Sequence, residues 1–223
     1  MLQIERLTKK FGGLAAVNDV TTTIEAGKVN AIIGPNGAGK TTFFNLISSM
    51  HKPTSGTITF NGQDVTSLRP DQVAKLGVAR TFQTTALFDR ATVLDNLIVG
   101  HRLRTQSGLW DVLRGSSRLR EEERKRVAFA LALATDPKLM LLDEPAGGVN
   151  PEETEGLAEL IRKIVRHGIT VALIEHKMGM IMSLADKILV LSYGEKIAEG
   201  TPEEIRRNPA VIDAYLGSEH AEV

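Results

Sequence analysis

Gly34-Pro35-Asn36-Gly37-Ala38-Gly39-Lys40-Thr41-Thr42 follows the apolar run Val29–Ile33 and leads into Thr42–Met50, which reads as a helix. A strand, a glycine-rich turn and a helix opening on Lys-Thr match the phosphate-loop form G-x-x-x-x-G-K-[ST]. Glycines let backbone N–H groups converge on phosphate oxygens with no Cβ in the way. The helix that follows turns its positive end toward the anion. Lys40 can reach the β- and γ-phosphates of a nucleotide, and the Thr41 hydroxyl can ligate magnesium. Asn36, Gly37, Ala38, Gly39 and Thr42 complete the expected nucleotide-binding loop.

Outward from this loop, short strands alternate with helices. Upstream lie Leu2–Leu7 and Val20–Ile24, the latter separated from Val29–Ile33 by the turn Glu25-Ala26-Gly27. Downstream, Gly56–Asn61 reads as a strand, and Val78–Phe82 as another that ends at Gln83. From Thr92 to Ala134 the apolar spacing is helical, interrupted around Thr105–Gly108 and Gly115–Ser117. After Pro137 the alternation resumes with strand Leu139–Leu142, helix Glu152–His167 stopped by Gly168, and strand Ile169–Ile174. Helix Met178–Ala185, strand Ile188–Leu191, the turn Tyr193-Gly194, strand Lys196–Glu199 and short terminal helices finish the chain. The pattern predicts an α/β fold with a mainly parallel sheet. Its expected parts are a core of residues 1–83 and 138–223 and an inserted helical subdomain, 84–137.

Composition narrows the function. The 223 residues carry 27 basic and 27 acidic side chains, a balance that gives no support to broad nucleic-acid binding. Absence of cysteine excludes disulfides, thiolate metal sites and a Cys nucleophile. No stretch reaches the ~20 apolar residues that span a bilayer, and the start, Met1–Lys10, has no signal-peptide pattern. Work at a membrane would therefore go through a partner.

Further residues fall in a telling order. Leu139–Leu142 is an apolar strand running into Asp143 and Glu144, followed by the turn Pro145–Pro151. Asp143 would hold magnesium through water, and Glu144 would polarise an attacking water. Gln83 can contact both magnesium and that water. His176, just past strand Ile169–Ile174, can donate to the γ-phosphate.

With these in place the chain resembles the ATP-binding subunits of ABC transporters, a P-loop NTPase (RecA-like) core with an antiparallel β subdomain and an inserted helical subdomain. Phe11–Val17, Glu144–Pro151, Gly194–Ile205 and the tail near Tyr215-Leu216-Gly217 narrow the likeness to the importers of branched-chain and other hydrophobic amino acids. The resemblance implies an ATPase using ATP and Mg2+, with Phe11 stacking on adenine and Val17 beside it in the nucleotide site. It implies catalytic roles for Glu144, His176, Gln83 and Lys40, and magnesium at Thr41, Gln83 and Asp143. It also implies a second ATP-binding subunit, identical or not, and transmembrane permease subunits, with the chain peripheral on the cytoplasmic face of the membrane. Asn150 stands where many relatives have Asp. His51, His101, His167, His220, Trp110 and Met178, Met180 and Met182 read as ordinary packing or surface residues.

The resemblance breaks at one place. Family members carry a Leu-Ser-x-Gly-Gln signature before the helix matched here by Val127–Ala134, and its donors complete the opposite subunit's site. Arg120–Arg126 occupies that place, and its Glu121/Lys125 and Glu122/Arg126 pairs suit an ordinary solvated helix. Leu191-Ser192-Tyr193-Gly194-Glu195 has similar letters but follows a strand, not the start of a helix. A segment between Arg126 and Val127 is thus expected to be missing. ATP binding with little hydrolysis is the expectation for these residues alone. Two other classes share these residues, a nucleotide-binding module without turnover, and an ABC-type ATPase acting on DNA or ribosomes. The latter usually carries two nucleotide domains or large inserts.

Overall fold

The structure, a computed structural model, describes residues 1–81, 136–147 and 151–219. Among them the chain forms two sheets. β1 (Leu2–Phe11), β2 (Leu14–Ile24), β4 (Ser55–Phe60) and β5 (Gln63–Asp64) make an antiparallel sheet ordered β2-β1-β4-β5. The larger sheet contains β3 (Val29–Ile33), β6 (Val78–Thr81), β7 (Leu139–Asp143), β8 (Thr170–Ile174), β9 (Lys187–Ser192) and β10 (Glu195–Gly200). Its order is β10-β9-β3-β8-β7-β6, with only the edge strand β10 antiparallel. Every residue of β3, β7 and β8 is buried, the pattern of parallel strands covered on both faces.

Helices α1 (Lys40–Ile47), α2 (Pro70–Lys75), α3 (Pro151–Arg166), α4 (Met178–Leu184), α5 (Pro202–Arg206) and α6 (Pro209–Glu219) connect the strands. Alternation along the parallel strands sorts the core into layers. Leu139, Leu141, Ala172 and Ile174 pack with Phe43 and Phe44 of α1 and with Leu2, Ile4 and Leu7 of the antiparallel sheet. Met140, Leu142, Val171 and Leu173 face the opposite way, onto Ala158, Ile161 and Ile164 of α3 and Met180 and Leu184 of α4. Phe43 and Phe44 have no solvent exposure, and full burial of such a side chain contributes about 1.5–3 kcal/mol. One carboxylate ties the two sheets together. Glu199 accepts from Thr22 Oγ1 (2.7 Å) on β2, Lys187 Nζ (2.6 Å) on β9 and Lys196 Nζ (2.7 Å) on β10. Burial pushes its carboxyl up, but these donors pull it further down, below the usual carboxylate range.

The strands and helices expected within the described residues all occur there, with several shifts of boundary. β1 runs on to Phe11 and β2 begins at Leu14, joined through Gly12-Gly13 with Phe11 paired to Leu14. This two-glycine hairpin, Gly12 at φ 58°, was not expected from the sequence. α1 spans Lys40–Ile47 rather than Thr42–Met50. It starts at once because Gly39 takes a left-handed φ of 95°, and it stops because Ser49 takes φ 56°. The short α2 and two-residue β5 were also unexpected. Six residues are too few to show helical periodicity, and α2 is set by Pro70 in its first turn and by Arg69 N–H donating to Gln72 Oε1 (2.9 Å). Most of the expected helical subdomain, 84–137, lies outside the described residues.

Candidate functional site

Parallel strands bring their carboxyl ends to one edge, and there the expected residues meet. Ile32 of β3 pairs with Ile174 of β8, and Ile174 pairs with Asp143 of β7. The loop after β3, the pair after β7 and the histidine after β8 therefore sit side by side.

The glycine-rich loop has one closed flank and one open flank. A Cβ on Gly34 would collide with the carbonyl oxygen of Leu191, and one on Gly39 with that of Ala16. At Gly37, φ 77°, no atom lies within 4 Å of the position a Cβ would take. That open side, with Asn36 and Gly37 exposed, is where an anion can approach the backbone N–H groups. Ala38 is buried, and its carbonyl accepts from Gly194 N–H (3.1 Å). Thr41 is exposed and Thr42 half-buried in the first turn of α1.

Lys40 is 6% exposed, and its Nζ donates to Gly34 O (2.7 Å) and Pro35 O (2.9 Å). Burial pushes the ammonium pKa below 10.5, while Glu144 and Asp143 pull it back. Burial of the charge costs stability below the folded pKa, and that cost fades as pH rises from there toward 10.5. A polyphosphate beside Nζ favours the charged form, so nucleotide binding in this alkaline window is expected to take up protons. Calorimetry in buffers of different ionisation enthalpy would read that uptake; buffer-independent heat there would contradict it.

Asp143 is buried and bonded to Arg80, whose Nη2 donates to Oδ2 at 2.8 Å. Glu144 follows at φ 49°, with its Oε1 2.8 Å from His176 Nε2. Nearby, Glu175 is 3% exposed and accepts three backbone N–H groups. Ala146 donates to Oε1 (2.6 Å), and His176 (3.0 Å) and Lys177 (3.4 Å) donate to Oε2. Glu175 thus fixes the backbones on both sides of the Glu144–His176 pair. Sequence reasoning missed both Arg80 and Glu175. The signal for Glu175 was present, since an acidic residue closing the apolar strand Ile169–Ile174 repeats the pattern that marked Asp143 and Glu144.

Phe11 is 45% exposed, edge-on to the His51 ring at 5.5 Å, with Lys9 Nζ 5.0 Å from its centroid. Val17 is fully buried, packed in the core cluster rather than open to a ligand. Gln83, Asn150 and Arg120–Arg126 lie outside the described residues. Hard oxygen donors from Asp143 and Thr41 suit magnesium, and the open flank at Gly37 suits phosphate.

Residues 17–147 match the family described as ABC transporter, and residues 195–221 match the one described as branched-chain amino acid ATP-binding cassette transporter. The chain is 39% identical to the high-affinity branched-chain amino acid transport ATP-binding protein LivG of Salmonella typhimurium, covering 97% of this chain and 98% of that protein. It is 38% identical to the corresponding protein BraF of Pseudomonas aeruginosa, over the same shares. A crystal structure of a nucleotide-free ATP-binding cassette from an ABC transporter superposes with TM-score 0.85 at 30% identity, covering 96% of this chain and 98% of that one. The LivG alignment runs over 249 residues against 223 here, so at least 26 of its positions have no counterpart in this chain.

Proposed function

We propose, since this chain belongs to the ABC transporter family, that it is the ATP-hydrolysing motor subunit of an importer of branched-chain or other hydrophobic amino acids. The observation that carries the reading is the meeting of the glycine loop, buried Lys40 and the Asp143/Glu144–His176 cluster at one sheet edge. In this reading Lys40 and the loop amides hold the triphosphate, and Phe11 supports the adenine. Asp143, Thr41 and Gln83 would hold magnesium, which when bound would neutralise phosphate charge. Glu144 takes a proton from water, and His176, bonded to it, donates toward the γ-phosphate.

No helix among the described residues is long and apolar enough to cross a membrane. The chain would act through permease subunits, peripheral on the cytoplasmic face, and through a second ATP-binding subunit. The nucleotide site built by this chain would be completed by the partner's signature, not its own. A partner that carries the signature would therefore allow turnover here, although residues 120–126 lack it. The missing positions favour a second reading, a nucleotide-binding module without turnover.

Two measurements separate these. Calorimetry with ATP and magnesium is expected to show binding, and no heat would end both readings. Steady-state hydrolysis is expected to be low for the chain alone and to rise on adding a signature-bearing ATP-binding subunit. A mixture that stays silent supports the second reading, whereas full turnover by the chain alone removes the need for a partner.

A further inference from the structure

We propose that Arg80 is a positioning residue for the magnesium half of this site, a strut that sets the spacing between the element carrying Thr41 and the strand carrying Asp143. The proposal rests on the ATP–magnesium reading above. Arg80 lies in β6, and both its side chain and that of Asp143 are 6% exposed. One arm of its guanidinium, Nη2, donates to Asp143 Oδ2 at 2.8 Å. The other arm, Nη1, donates to Asn45 Oδ1 at 2.7 Å and Ser48 Oγ at 3.0 Å. The guanidinium carbon lies 5.7 Å from the centre of the Phe44 ring.

Phe44 and Asn45 belong to α1, the helix that opens with Lys40-Thr41, and Ser48 is the residue that caps its end. The guanidinium therefore meets α1 at two residues, the helix's cap at a third and the end of β7 at a fourth. A guanidinium is planar and rigid, with donors in a fixed fork, so bonds on opposite arms fix a distance as well as a charge. Oδ2 of Asp143 is engaged, which leaves Oδ1 to offer a cation or its bound water. Three residues after Arg80 in the sequence stands Gln83, the remaining expected magnesium contact.

Charge alone argues the other way, because a fixed cation beside a dication site repels the metal. The two effects predict opposite signs. If spacing dominates, loss of the fork weakens magnesium-dependent binding; if charge dominates, a neutral replacement strengthens it. Lysine keeps the charge but is a point donor that cannot hold Asp143, Asn45 and Ser48 together.

ATP would be titrated calorimetrically into the wild type, Arg80→Lys and Arg80→Met, once with magnesium and once with EDTA. The magnesium-dependent gain in affinity is expected to fall about tenfold or more in both variants, as when support for a metal ligand is removed, with EDTA affinity held within about twofold. An unchanged or increased gain in the variants would overturn the proposal. So would a parallel loss with EDTA, which marks a purely structural role. If Arg80→Met does not fold, Arg80→Lys decides alone. A wild type that binds ATP equally with and without magnesium fails the underlying magnesium reading, an outcome distinct from failure at Arg80.

Discussion

Replacing Glu144 with Gln is expected to lower ATP turnover in the assembled motor by about 10²–10⁴-fold, the usual worth of a positioned general base. The substitution keeps the size of the side chain and an oxygen able to accept from His176 Nε2, now 2.8 Å from Oε1. It removes only the capacity to take a proton. Nucleotide affinity should therefore hold, and the paired subunits should accumulate closed over unhydrolysed ATP. The measurements are steady-state phosphate release and size analysis with ATP present. Normal turnover by the variant would end the assignment of Glu144 as base.

Gly39→Ala is expected to damage fold and binding together. Gly39 sits at φ 95°, where a side chain costs about 1–2 kcal/mol before any contact is counted. Its new Cβ would also strike the backbone carbonyl of Ala16, which cannot swing aside as a side-chain tip can. Ala16 belongs to β2, next to fully buried Val17, so relief of the clash shifts a core strand. A loss of about 3 kcal/mol should lower Tm by about 6–12 °C in a chain this size. ATP affinity should fall by about 100-fold or more, roughly 2.7 kcal/mol. Gly37→Ala is the informative contrast, since its Cβ would meet no protein atom within 4 Å. It should bind ATP poorly while melting within a few degrees of wild type, about the cost of φ strain alone. Equal melting and equal affinity for Gly39→Ala and wild type would show that the loop tolerates what its geometry forbids.

The parallel core was legible because its physics is local. A strand buried on both faces must be apolar throughout, and Val29–Ile33, Leu139–Leu142 and Ile169–Ile174 announce themselves that way. The glycine loop was legible because left-handed φ values need glycine, as at Gly37 and Gly39. What escaped is long-range. Arg80 sits in the short strand Val78–Thr81, and its partners lie 32, 35 and 63 residues away. Nothing in a lone arginine marks it as buried and forked. Glu175 escaped for a smaller reason, since a carboxylate at a strand end reads as solvated until its backbone donors are seen. The one bond that ties it to the far side of the site comes from Ala146, 29 residues back along the chain. Val17, expected in the nucleotide site from likeness to a family, has its side chain buried in the core, a packing that likeness alone did not indicate.

Glu199, grasped at once from β2, β9 and β10, has a mechanical consequence. The two lysines that hold it reach across as well, Lys187 to Thr23 O (2.9 Å) and Lys196 to Thr21 O (2.6 Å), so shear of the small sheet against the large one must break three neighbouring bonds to β2. The two sheets are thereby clamped along β2, and a movement of one is carried to the other instead of being lost as slippage between them.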